Sequence, residues 1–181
     1  MDWNEAAKTW DDDPVVRAYA GGAFGSLLEL VDGTAGLAGK RVLDFGCGTG
    51  LLTAKVAEHA DEVVGVDLAE DMVAALAAKG LPNVRALAGD LHDLIDRGAV
   101  QPGFDLIVCS SVLAFVRPYP GFVATLCGLL APGGRFVQWD WELNPADEEV
   151  VARITQDAVM RGPGFEDMVV AIVLSDAFRT K

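Results

Sequence analysis

The stretch "VLDFGCGTG", residues 42–50, decides how the rest of the chain is read. An apolar start, an acid at Asp44 and glycines at 46, 48 and 50 describe a strand that stops in a tight turn, with Thr49 placed to open a helix. Outward from it, β-branched runs alternate with helical spacing. Strands are expected near 41–45, 62–67, 84–88, 104–110, 134–140 and 168–174, and helices near 50–59, 69–79, 91–97, 119–130 and 146–161. Asp90 and Asn144 suit helix starts and Gly80 a helix end. The runs "VVGVD", "DLIVCS" and "RFVQW" are apolar almost throughout, as strands covered on both faces are. The pattern predicts an α/β chain with a doubly wound, mostly parallel sheet and helices on both faces.

Upstream, "AAKTWDD" followed by "PVVRAYAGGAFGSLLELV" reads as a helical segment, with Asp13 as cap and Pro14 in the first turn. No repeat or linker divides the chain. We expect one domain, with residues 1–32 as a helical cap and 40–181 as the α/β core. Its 181 residues, 51% hydrophobic and 23% charged, suffice for a well-filled core. The 27 acids against 14 bases give a net charge of -13, which repels phosphate backbones and anionic membrane surfaces. Neither nucleic acid nor a membrane is an expected partner. Cys47, Cys109 and Cys127 are odd in number and lack C-x-x-C spacing, which suggests reduced thiols and no metal site. "MDWNEAAKTW" has no basic start or apolar run of an export signal, and the uncharged stretch 118–134 carries three prolines, a poor membrane span. A cytoplasmic protein is expected.

In an open α/β sheet, ligands sit beyond the carboxyl ends of the strands, near the point where strand order reverses. That draws attention to Asp44, Asp67, Asp90 and Ser110. A dinucleotide loop wants G-x-G-x-x-G, and Leu51 stands where its third glycine belongs. A phosphate-binding G-K-[ST] loop is also absent, since Leu51, Leu52 and Thr53 follow Gly50. Asp44 at the strand end opposes a diphosphate and favours an ammonium or sulfonium. At ~4 Å and an effective dielectric near 20, such a pair is worth roughly 4 kcal/mol before desolvation. Asp67, roughly twenty residues beyond the glycines, can accept both hydrogen bonds of a ribose diol.

Together "VLDFGCGTG", "VVGVDLAEDM", "ALAGDLHDL", "FDLIVCSSV" and "LLAPGGRFV" resemble, in order and over about residues 41–140, the successive motifs of class I S-adenosylmethionine-dependent methyltransferases. Within that family the chain resembles the small-molecule type, the ubiquinone- and menaquinone-biosynthesis-like group. The resemblance implies a Rossmann-like sheet and transfer of a methyl group from S-adenosylmethionine to an O, N or C atom of a small-molecule acceptor, leaving S-adenosylhomocysteine. It implies that Asp44, Gly46, Cys47 and Gly48 form the loop under the methionine part, Cys47 through its backbone. Asp67 would hold the ribose hydroxyls, Leu68 and Met72 would pack on the adenine, and Asp90 would meet its amino group with Gly89 and Leu91 beside it. Ser110 matches the position closest to the methyl-bearing sulfur.

The chain also departs from that family. Many members place a His shortly after strand four, where this chain has Phe115. Ser111 and Val112 follow Ser110, so the [DNS]-P-P-[YFW] motif for adenine and glutamine acceptors is absent. His59 reads as a helix-end residue, and His92 either faces the cleft or solvent. No catalytic residue is assigned, because in-line transfer draws much of its rate from alignment. Trp3, Trp10, Tyr19 and Phe24 lie in the segment that in this family covers the cofactor. Trp139 and Trp141 share one strand face and either line an apolar pocket or pack a helix on the sheet. Members end in an antiparallel hairpin, whereas "FEDMVVAIVLS" offers one strand and only "DAFRTK" follows, so an incomplete hairpin with an edge open to another subunit is expected. Two other readings stay open: an inactive cofactor-binding module acting in a complex, and a nicotinamide-dependent oxidoreductase, which Leu51 and Asp44 oppose.

Overall fold

The computed structural model describes residues 2–116, 119–139 and 171–172. Six strands, β1 (Arg41–Phe45), β2 (Glu62–Asp67), β3 (Val84–Ala88), β4 (Phe104–Ser110), β5 (Leu130–Trp139) and β6 (Ala171–Ile172), form one sheet in the order β3-β2-β1-β4-β5-β6. Every pairing among the described residues is parallel. The first four strands occupy the expected spans. β5 begins earlier than expected because Leu130 pairs with Phe104 before a register irregularity, after which Arg135 pairs with Leu106. The strand expected near 168–174 as part of an incomplete antiparallel hairpin is described only at β6, which instead pairs parallel to β5 through Val137–Ala171 and Gln138–Ile172, so the described residues show no antiparallel pairing there. The expected helix at 146–161, with Asn144 and Trp141, falls outside the described residues.

Two helix layers cover the sheet. On one face lie α2 (Pro14–Leu30), α3 (Leu51–Ala57) and α4 (Glu70–Ala78); on the other lie α5 (Leu91–Asp96) and α6 (Tyr119–Gly128). A Cβ on Gly65 would meet Leu76 Cδ2 at 2.7 Å, which is how closely α4 approaches β2. α2 forms for the reasons visible in sequence: Asp13 accepts the Val15 N–H at 2.8 Å and Pro14 sits at its start. Its buried residues Ala20, Ala23 and Leu27 follow helical spacing, and the last two join Val42, Val56, Val63 and Val137 in one core. The opposite core gathers Leu43, Val64, Leu94, Ile107, Leu126 and Phe136. Each such side chain contributes about 1.5–3 kcal/mol through burial.

The segment expected as a cap therefore divides. α2 belongs to the core, whereas α1 (Trp3–Ala7) and a 3-10 turn at Trp10–Asp12 lie over α4 and the glycine loop. Trp139 is settled as core: it is buried against α2 and its indole N–H donates to Ser26 Oγ at 2.7 Å. It does not line a pocket. No helix among the described residues is long and apolar enough to cross a membrane.

Candidate cofactor-binding site

Strand order reverses between β1 and β4, and the glycine loop leaves β1 at that switch point. Gly46, Gly48 and Gly50 all take positive φ (73°, 53° and 83°), a conformation that favours glycine. At Gly46 the requirement is doubled, since a Cβ there would sit 2.0 Å from Val112 Cγ2. At Gly48 a Cβ would meet only Met72 Sδ, at 3.9 Å, so the backbone is open to a ligand that approaches closely. Gly50, and not Thr49, is the cap residue of α3. Thr49 turns its hydroxyl elsewhere, to Asp11.

Asp67 at the end of β2 holds the loop: its Oδ2 accepts the Gly48 N–H at 2.9 Å and its Oδ1 the Ala69 N–H at 2.9 Å. A carboxylate has about four acceptor sites, so each oxygen keeps capacity for one hydroxyl of a diol. Gly89 follows β3 with φ +138° and donates its N–H to the Asp67 carbonyl at 2.9 Å, which brings Asp90 beside that acid. Asp90 caps α5, its Oδ1 accepting from the His92 N–H at 2.8 Å and the Asp93 N–H at 3.3 Å.

Asp44 is placed differently from the expectation that its charge faces a ligand. It is 2% exposed, behind the loop, and its Oδ2 accepts from Thr53 Oγ1 at 2.6 Å. Burial lifts its carboxyl from an ordinary 3.8 to about 6; the Thr53 bond opposes the rise and the charge of Asp67 adds to it. Cys47 is buried, and desolvation first, then the charges of Asp44 and Asp67, push its thiol well above the ordinary value. That makes the thiol a poor nucleophile.

Of the residues expected near adenine, Met72 is buried beneath Gly48 while Leu68 is 71% exposed. Leu91 belongs to the core on the α5 side, so only its backbone is available to a ligand. Ser110 is half-buried at the end of β4. Sequence reading missed its neighbour Ser111, which adopts φ +59°, donates its N–H to the Trp139 carbonyl at 2.8 Å and donates its hydroxyl to Tyr19 Oη. A non-glycine residue held at positive φ is a mark of functional sites, and such strain cannot be read from a serine in sequence. At the mouth, Trp3 meets Trp10 and Phe115 edge-on, each at 5.7 Å between centroids, and Phe115 is 69% exposed. Phe24 stacks instead on His59 at 6.0 Å. His92 packs edge-on against Phe122 and its Nε2 lies 3.3 Å from Thr125 Oγ1, which ties it to α6. No cluster of three or more metal-ligating side chains occurs among the described residues.

A parallel sheet with a glycine loop at its switch point, followed by acids at the ends of β2 and β3, defines a nucleoside-binding α/β domain. Comparison with known proteins gives the family. Residues 43–136 match the methyltransferase domain family, and the chain belongs to the class I S-adenosylmethionine-dependent methyltransferases. It is 36% identical over 135 residues to a ubiquinone biosynthesis O-methyltransferase of Bordetella parapertussis, covering 73% of this chain and 55% of that one. A relative of the same description from Thiobacillus denitrificans is 37% identical over 108 residues, 59% of this chain and 47% of that one. The chain thus spans about half the length of these relatives. Among solved structures, a DhpI–SAM–HEP complex superposes with a TM-score of 0.63 at 25% identity, covering 83% of this chain and 67% of that one.

Proposed function

We propose that the protein transfers a methyl group from S-adenosylmethionine to an oxygen atom of a small, largely apolar acceptor in the cytoplasm. The observation that carries the reading is the convergence of Gly46–Gly50, Asp67 and Asp90 on one end of the sheet, with Ser110 and Ser111 leaving β4 beside them. The residues fit the cofactor: Asp67 suits its ribose diol, open Gly48 its amino-acid arm, and Asp90 its adenine edge. The bound cofactor supplies an electrophilic methyl on a sulfonium.

The chain's own contribution is placement. Gly48, fixed by Asp67, sets the height of the loop, with the buried Met72 packed beneath it. Ser111 and Tyr19 offer paired hydroxyls near the end of β4, suited to orienting an acceptor hydroxyl. Trp3 and Phe115 supply an exposed apolar rim suited to an apolar acceptor. His59 stacks on Phe24 and His92 packs on Phe122 beside Thr125, so the reading invokes no histidine base and rests on alignment, which in well-oriented reactants is worth roughly 7–11 kcal/mol. An acceptor whose hydroxyl is acidic, such as a phenol, needs the least help in losing its proton. The net charge of -13 disfavours a nucleic-acid acceptor, and the O-methyltransferase relatives favour oxygen.

The test is transfer of label from methyl-labelled S-adenosylmethionine to a panel of phenols, catechols, amines and carboxylates. Label on a phenolic oxygen, abolished in Asp67→Ala, is expected. Cofactor binding with no transfer to any acceptor would favour an inactive binding module.

A further inference from the structure

We propose that Asp11 is a positioning residue that latches the N-terminal segment onto the cofactor loop through Thr49, so that closing the segment and ordering the loop are one event. The inference rests on the methyltransferase reading of that loop.

Thr49 stands between Gly48 and Gly50, both at positive φ, in a part of the chain with little intrinsic stiffness. The loop is held from the β2 side by the Gly46 and Cys47 N–H groups donating to the Val66 carbonyl at 2.8 and 3.1 Å and by the Gly48 N–H donating to Asp67 Oδ2. Thr49 gives it a second hold: the residue is only 1% exposed and its hydroxyl donates to Asp11 Oδ1. The other carboxylate oxygen of Asp11 accepts from Lys79 Nζ at 2.6 Å, just past the end of α4, and the Asp11 carbonyl accepts from Arg17 Nη1 at 2.9 Å on α2. One residue therefore joins the loop, α4, α2 and the 3-10 turn. Further along the same segment, Asn4 Oδ1 accepts the Asp71 N–H at 3.1 Å in the first turn of α4, and Trp3 meets Phe115. Together these contacts fasten residues 3–17 across the mouth of the site.

The Asp11–Lys79 pair is partly exposed, with side chains 41% and 25% accessible, so it adds little stability by itself. The bond from the buried Thr49 hydroxyl to a charged acceptor is stronger, and it alone touches the loop. The latch thus acts on ligand affinity more than on folding. Binding that needs both an ordered loop and a closed segment is coupled by reciprocity: each makes the other easier.

The experiment is calorimetric titration with S-adenosylhomocysteine, well below each variant's unfolding transition, on the unaltered protein, Asp11→Ala, Asp11→Asn, Thr49→Val and the Asp11→Ala/Thr49→Val double variant. Hydrogen exchange of residues 3–12 is followed with and without ligand. Asp11→Ala should weaken binding about tenfold, in the range of ordinary allosteric couplings. Asp11→Asn, which keeps an acceptor for Thr49, should recover most of it. The double variant should bind no worse than the weaker single one. Ligand should slow exchange of residues 3–12 in the unaltered protein and not in Asp11→Ala. Unchanged affinity in Asp11→Ala, or additive losses in the double variant, would overturn the latch while leaving the methyltransferase reading intact. Failure of the unaltered protein to bind S-adenosylhomocysteine would remove both.

Discussion

Replacing Asp44 by Asn should make the protein more stable at neutral pH while impairing its discrimination between cofactor and product. The Asp44 carboxyl is fully desolvated, and its pKa rises from 3.8 unfolded to about 6 folded. Between those values the folded state holds the proton and the unfolded state does not. Stability therefore falls as pH rises from about 4 to about 6, and the deficit is complete above 6. A shift of this size corresponds to about 3 kcal/mol. Asn carries no charge to desolvate, and its amide oxygen can keep the 2.6 Å bond from Thr53 Oγ1. Urea unfolding of both proteins from pH 4 to 8 should show curves that coincide near pH 4 and diverge to about 3 kcal/mol in favour of Asn by pH 7. In return the variant should lose affinity for the sulfonium of S-adenosylmethionine relative to neutral-sulfur S-adenosylhomocysteine, and the unaltered protein should release protons on binding the former near pH 6. A difference in stability that is independent of pH, or an Asn variant less stable at pH 8, would refute the reasoning.

Gly46→Ala should cost at least about 1–3 kcal/mol, because φ is +73° and the new methyl would sit 2.0 Å from Val112 Cγ2; adding Val112→Ala should recover only part of the loss in denaturant melts. Gly25→Ala, on the exposed side of α2 with nothing within 4 Å of the added methyl, should stabilise by up to about 1 kcal/mol and raise the thermal midpoint by roughly 2–4 °C. Asp90→Ala should cost about 1 kcal/mol as a lost helix cap and also weaken cofactor binding; Asp90→Ser should restore the thermal midpoint without restoring affinity.

Much of this was legible because its signals are local. β1, β2, β3 and β4 match their expected residues, since each is a short apolar run bounded by glycine or an acid. The cap of α2 by Asp13 and of α5 by Asp90 followed from rules that span three residues. What was not legible depends on distant parts of the chain. The early start of β5 is set by pairing with Phe104 on the neighbouring strand, which a reading that runs the preceding helix to residue 130 and starts the strand at 134 does not anticipate. Thr49 has the composition of a helix cap, yet its hydroxyl goes to Asp11, a residue 38 positions away. The burial of Asp44 against Thr53 follows from packing behind β1 that no local pattern encodes. Ser111 was passed over beside Ser110 because its distinction is a backbone angle, not a side chain.

The most direct test of the central claim is calorimetric titration of the purified protein with S-adenosylmethionine, S-adenosylhomocysteine and NAD, repeated on Asp67→Ala after checking that the variant is folded. Both adenosyl compounds should bind, NAD should not, and the variant should lose both. Binding of NAD alone, or binding of the adenosyl compounds that is indifferent to Asp67, would contradict it.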